Sequence, residues 1–259
     1  MIKKVIGKAK DYILNGKALS NWNKYSSPKL EQFKNKYKDQ DCFIVGNGPS
    51  LNKMNLSLLN NYYTFGLNKI YLIFSKNPFN IDFLVAVNPF VIKQSSHIYK
   101  EWSIQKFISY KPGYQYLKDC ENTFYLGDIY PQKLFYKDIT EGITQGHTVT
   151  FVAMQIAYYM GFRRIFLVGV DHNFVQHGKP NEKQIMTKDD PNHFDPNYFK
   201  GYEWQLADLE NSELFYLIAR YYFQKDGREI YDATINGKLN IFKKIEFERA
   251  LEIAKRKDN

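Results

Sequence analysis

The sequence predicts an α/β fold, a mostly parallel sheet covered by helices on both faces. Short apolar runs that end in glycine or before asparagine alternate with stretches of helical spacing. One run, Arg164-Ile-Phe-Leu-Val-Gly-Val, is apolar almost throughout, as a strand buried on both faces requires. A second run passes straight into a Gly-Asn-Gly-Pro-Ser loop, where a strand hands over to a helix.

Residues 1–40 carry Val5, Ile6, Ile13, Leu14 and Leu19 among Lys3, Lys4, Lys8, Lys10 and Lys17. They are expected to form a basic helical extension, lying on an anionic lipid surface or packed as a solvated helix on the domain. Asp41-Cys-Phe-Ile-Val-Gly then reads as the first buried strand, and Leu51, Met54, Leu58 and Leu59 space a helix over 51–59. Tyr63-Thr-Phe-Gly-Leu and Ile81-Asp-Phe-Leu-Val-Ala-Val are further strands, the second ending at Asn88-Pro89. Thr123-Phe-Tyr-Leu is another, followed by a loop containing Pro131. Thr148 to Met160 is an apolar helix closed by Gly161, and the Arg164 strand stops at Asp171.

From 173 to 205 the chain is polar, with Pro180, Pro191 and Pro196 and no sustained period, which predicts a long loop or lid. Phe194, Tyr198, Phe199, Tyr202 and Trp204 within it argue against disorder. A helix from about Asp208 to Gln224, a strand near Glu229-Ile-Tyr-Asp and a charged helix from about Ile245 complete the chain. The expected organisation is an extension over 1–40 and one domain over 41–259.

Length supports one main core, and Cys42 and Cys120 stand too far apart in sequence to form a ligand pair, so structural zinc is not expected. No run approaches the ~20 apolar residues of a bilayer span. A reduced, cytoplasmic setting is expected, with the inner face of the membrane as its peripheral variant. A net charge of +9 permits an acidic partner. The lysines are spread rather than interleaved with aromatics on one motif, which argues against nucleic acid. A homo-oligomer is compatible with the sequence.

Five groups of residues are candidates for chemistry. Gly46-Asn47-Gly48-Pro49-Ser50 sits at the carboxyl edge of the sheet, where open α/β folds bind ligands; it is a candidate anion cradle, and Ser50 is a candidate helix cap. Asn68 and Asn88 follow the next two strands, each either meeting a base or sugar hydroxyl or capping a turn. Thr144, Gln145 and Gly146 precede the apolar helix and offer hydroxyl and amide groups, whereas His147 packs or caps the helix or touches ligand. Asp171-His172 ends the strongest strand, so the acid accepts from a hydroxyl, holds a metal or caps loop amides. In the lid, His193, with Asp195 near it, has the chemistry to take a proton once closure brings it within reach.

Together, Phe43-Ile-Val-Gly-Asn-Gly-Pro-Ser-Leu, Gly142-Ile-Thr-Gln-Gly-His-Thr-Val-Thr and Met160-Gly-Phe-Arg-Arg-Ile-Phe-Leu-Val-Gly-Val-Asp-His-Asn-Phe resemble the 6-hydroxymethylpterin pyrophosphokinase MptE-like family. They are more distantly similar to the bacterial sialyltransferases of lipo-oligosaccharide. The second resemblance implies a Rossmann-like α/β domain with a lid, of the GT-A-variant type. It also implies inverting transfer from a CMP-activated, sialic-acid-like or related sugar to a glycan or glycolipid, without a metal or other cofactor. It places CMP on Gly46 to Ser50 and Thr144 to Gly146, matches Asn68 and Asn88 to site asparagines, and makes His193 the general base. Where that family has two tyrosines at the leaving phosphate, Asn173 and Lys179 stand here, so Lys179 would act there by charge. A family arginine before the Ile-Thr turn is Gly142. The Asp171-His172 pair belongs to the MptE-like pattern, which implies instead a pyrophosphokinase using Mg2+ and ATP on a pterin, with Asp171 helping to hold the metal.

Overall fold

The computed structural model describes residues 15–128 and 133–257. In chain order these form helix α1 over 15–25, strands β1 (Asp41–Val45), β2 (Tyr63–Leu67) and β3 (Phe83–Ala86), helix α2 (Pro89–Glu101), β4 (Gln105–Ser109), α3 (Tyr110–Leu117) and β5 (Thr123–Leu126). There follow α4 (Val149–Met160), β6 (Arg164–Val168), β7 (Lys183–Ile185), β8 (Glu203–Gln205), α5 (Leu209–Lys225), β9 (Glu229–Asp232), β10 (Lys243–Lys244) and α6 (Phe247–Ile253).

The main sheet has the order β10-β9-β6-β1-β2-β3-β4-β5, and every pairing in it is parallel. The expected Rossmann-like α/β architecture is therefore present. After β1 the chain winds outward through β5, then returns to lay β6 on the other side of β1. The order reverses between β1 and β6, and at such a reversal the following loops diverge and leave a crevice at the carboxyl ends. Strand alternation sends Cys42 and Ile44 to the face covered by α1, α4 and α5, while Phe43 and Val45 pack under α2, α6 and the 173–205 segment. Helix α4 lies so deep that every residue from Thr150 to Met160 is buried, which explains its apolar sequence.

Three regions differ from expectation. The helix expected over 51–59 is two 3-10 turns, Pro49–Lys53 and Leu56–Asn61. Asn77 intervenes between them: its Nδ2 donates to the Met54 carbonyl and its Oδ1 accepts from Leu56 N–H, diverting the groups a continuous helix would pair. Helix α2, β4 and α3 occupy a stretch whose spacing gives no signal. The 173–205 segment contains the β7/β8 antiparallel pair and buries Phe194, Tyr198, Phe199 and Trp204, so it is a packed cover; Tyr202 alone of its expected aromatics stays exposed.

Before β1, Trp22 is buried in the core and donates from its indole N–H to the Tyr125 carbonyl at 2.8 Å. Leu30 and Phe33 are buried as well, and Leu19 packs against the same core. The expected lipid-facing residues Val5 to Leu14, and Pro131, lie outside the described residues. Among those described, no helix is long and apolar enough to cross a membrane.

Candidate functional site

A cavity of about 300 Å³ opens at the β1/β6 reversal. Its floor is Gly46, Asn47 and Gly48 from the β1 loop and Gly169, Val170 and Asp171 from the end of β6. Glycine at 46 is a packing requirement, because a Cβ there would stand 2.3 Å from the Gly169 carbonyl oxygen. The two loops are sewn together, with Gly46 N–H donating to Val168 O and Gly48 N–H to Gly169 O, each at 2.8 Å.

Asp171 occupies the spot the sequence offers as an anion cradle. Its Oδ1 accepts from Ser50 N–H at 3.0 Å and its Oδ2 from Ser50 Oγ at 2.6 Å. A Cβ on Gly48 would lie 1.8 Å from that carboxylate. The aspartate thus caps the Pro49–Lys53 turn, and Pro49 and Ser50 do not line the cavity. Burial pushes the Asp171 carboxyl up against the opposing pull of the Ser50 hydrogen bonds, and the Asp232 carboxylate pushes it the same way. Of this loop, Asn47 is the side chain left facing the site: its Oδ1 is buried and accepts no hydrogen bond among the described residues.

Asn68 and Asn88 both line the cavity. Asn68, in the left-handed region at φ 49°, likewise has a buried Oδ1 without a partner among the described residues. Asn88 is the N-cap of α2, accepting from Phe90 N–H at 2.9 Å, and its Nδ2 donates to Gln205 Oε1 of the cover at 3.1 Å. It therefore both caps a helix and meets the site. The 144–146 turn divides. Gln145 lines the cavity and donates to the half-buried Asp128, whereas Thr144 is braced from behind by Gln155 and Gly146 packs on Phe151.

The remaining walls are helix starts. Asn88 to Val91 of α2, Thr148 to Thr150 of α4, and Asp208, Leu209 and Ser212 of α5 all face the cavity, so three helix N-termini converge on it. Each presents the positive end of its helix dipole, with part of its first-turn N–H groups already capped by Asn88, Thr148 and Asp208. Among the described residues the wall has no lysine or arginine. Its acids are engaged: Asp208 caps α5 and lies 3.0 Å from His147 Nδ1. Burial raises the Asp208 carboxyl, but hydrogen bonds from Asn211 and Asn181 and the His147 charge outweigh it and leave it below the usual range. His172 is tied to Glu213 at 2.9 Å.

His193 lines the same cavity. Its Nδ1 is 2.8 Å from Asp190 Oδ2, a carboxylate with a fully buried side chain, so Nε2 is the nitrogen left for the cavity. The ring stacks on Tyr198 at 4.0 Å and 8°. Lys179, by contrast, is exposed and does not line the cavity; its backbone N–H donates to Glu182, and the geometry gives it no place at a leaving phosphate. Asp190 is a site residue that sequence reasoning missed, although its spacing three residues before His193 is a usable signal. Of the three helix starts, those of α4 at Thr148 and α5 at Asp208 are legible in the sequence, and that of α2 is not.

This constellation defines a Rossmann-like α/β protein with a ligand crevice at the switch point of its sheet. A family model described as 6-hydroxymethylpterin diphosphokinase MptE-like matches residues 17–177, and the chain belongs to the MptE-like family. A search of curated proteins finds no match. Among solved structures, the fold is similar to the MAf glycosyltransferase from Magnetospirillum magneticum AMB-1, with a TM-score of 0.55 and 14% identity over 89% of this chain. The match spans 38% of that longer protein. The sialyltransferase CstII from Campylobacter jejuni, solved in complex with a substrate analogue, cytidine-5'-monophosphate, matches at a TM-score of 0.47 and 15% identity, over 80% of this chain and 85% of that one.

Proposed function

We propose that the protein is an inverting glycosyltransferase that takes its sugar from a CMP-activated donor and passes it to a hydroxyl of a glycan or glycolipid. The observation that carries this reading is the cavity's lining: three helix N-termini, several side-chain amides and the two engaged carboxylates Asp171 and Asp208, with no lysine or arginine among the described residues of its wall. Such partial charges match the single phosphodiester charge of a CMP-sugar better than the several charges of a triphosphate. The three sequence segments that resemble sialyltransferases point to the same donor.

On this reading His193 Nε2 removes the acceptor hydroxyl proton, and Asp190 holds the ring and stabilises the imidazolium that forms. The acceptor oxygen bonds to the anomeric carbon as the bond to the phosphate oxygen breaks, and the electron pair leaves with CMP. The helix N-termini stabilise that phosphate in the role expected of Lys179. Asn47 and Asn68 accept hydrogen bonds from the nucleoside through their unpartnered oxygens. The donor is a substrate, and no separate cofactor enters.

Family membership favours a second reading, a Mg2+-dependent diphosphokinase acting on a pterin with ATP. The engagement of both Asp171 oxygens by Ser50 removes one support from it. Melting temperature with CMP, CTP and ATP, with and without Mg2+, separates the two. Stabilisation by CMP without metal is the expected result. Mg2+-dependent stabilisation by ATP with no response to CMP would overturn the transferase.

A further inference from the structure

We propose that Lys69 is a positioning residue for His193, clamping the cover to the end of β2 through Tyr198; the proposal rests on the transferase reading for the role of His193. Lys69 follows Asn68 directly and is only 3% exposed. Its backbone N–H donates to Tyr198 Oη at 3.1 Å and its Nζ to the Tyr198 carbonyl at 2.7 Å, so one residue grips both ends of the tyrosine. The ammonium also sits 4.6 Å from the centre of the Tyr202 ring, 4.7 Å from that of Phe199 and 5.5 Å from that of Tyr198.

This is an unusual group to bury. No carboxylate lies within ion-pair distance of Nζ among the described residues, and burial pulls the ammonium down to about 8, against the upward pull of Asp190. A methionine would fill the same space without that desolvation. What the lysine adds is a fixed point on the sheet from which the catalytic end of the cover is hung. Tyr198, itself 1% exposed, presents its ring face to His193 at 4.0 Å. Asp190 then sets the rotation of the imidazole within that plane, and its Oδ1 is fixed by Asn192 N–H at 2.9 Å. Tyr198 therefore fixes the plane of the ring and Asp190 its rotation. Lys69 ties the assembly to the same strand end that carries Asn68 into the cavity.

The test is histidine-15N NMR of the full chain together with transfer kinetics. In the wild type, His193, assigned by the signal lost in His193→Ala, is expected to show one tautomer with the proton on Nδ1. Lys69→Met is expected to give an averaged tautomer signal and to lower kcat about 10- to 100-fold, with the donor KM within about twofold. Lys69→Arg, which keeps a cationic donor, is expected to retain the wild-type signal. If the methionine variant does not fold, Lys69→Leu, neutral and without a donor, is read the same way. A wild-type His193 signal and wild-type kcat in the neutral variant would overturn the clamp. If the wild type turns over no CMP-sugar, the transferase reading falls by itself, and the ring signal alone decides the clamp.

Discussion

At the amino ends of its strands the sheet closes on itself through charge. Asp41, which opens β1, takes a bidentate hold from Arg164, which opens β6, with the shortest contact at 2.6 Å. Lys255 N–H adds a bond to the same carboxylate at 2.7 Å, and Arg164 also reaches the Ile253 carbonyl at 2.7 Å, so the C-terminal helix is stitched to the pair. Next to it Asp82 accepts from Thr64 N–H and pairs with Lys257. At the carboxyl ends the same β1 and β6 run into Asn47, whose buried oxygen has no partner among the described residues. They also open into a cavity whose described wall has amides, helix starts and the engaged Asp171 and Asp208, and no lysine or arginine, where the other end has cations. Groups that satisfy one another hold a fold together. Groups left unsatisfied around a cavity are available to a ligand.

Breaking each end separately tests that division. The largest effect is expected from His193→Gln, whose amide keeps a donor for the buried Asp190 and which should lower transfer by about 10²- to 10⁴-fold while leaving the melting temperature near that of the wild type. Steady-state kinetics beside a thermal melt check both halves of the statement, and full activity in this variant would remove the base assignment. Asp41→Ala should do the reverse. Breaking the pair is expected to destabilise by about 3 kcal/mol, the low end for a buried pair because Arg164 is 21% exposed. Unfolding in urea would show it, with CMP affinity below the transition unchanged.

A smaller change is expected from Asn47→Ala. It deletes a buried oxygen that accepts nothing among the described residues of the free protein, so stability should hold or rise slightly, while the donor KM rises about tenfold. A loss of stability without a change in KM would move Asn47 from the binding group to the structural one. The smallest effect concerns pH. The Asp171 carboxyl is raised in the folded protein, chiefly by burial, so the fold binds its proton more tightly than the unfolded chain does. Its contribution to stability is therefore fully present below the ordinary carboxylate pKa and is lost as pH rises through the raised one. Asp171→Asn lacks that loss. The melting temperature of the variant relative to wild type should accordingly rise as pH climbs from the acid side of that window, and a flat difference would contradict the shift.

Much of this contrast is legible in the amino-acid sequence. The β1, β2 and β6 runs announce themselves because strands buried on both faces must be continuously apolar, and α4 because a helix wrapped in core must be so as well. Gly46 and Asp171 fall at the correct edge by their position after those runs. The helix expected over 51–59 fails for a reason no local pattern holds: Asn77, remote in sequence, takes the backbone groups between Met54 and Leu56. Helices α2 and α3 and strand β4 stay hidden because their apolar residues follow no clean period. Lys179 matches the leaving-phosphate position only by its offset after a strand, and offset along a chain does not determine which way a cover folds.

Local composition is enough to specify the parallel α/β sheet and the strand ends that gather at one edge, because burial on two faces and glycine at a close approach leave marks on neighbouring residues. Tertiary packing alone settles that Asp171 caps the Pro49–Lys53 turn, that three helix starts meet at one cavity, and that Tyr198 stacks on His193 while Asp190 pairs with it. Most of those contacts join residues far apart in the chain, and the pairing of a polar group with a distant partner writes no period into the sequence around it.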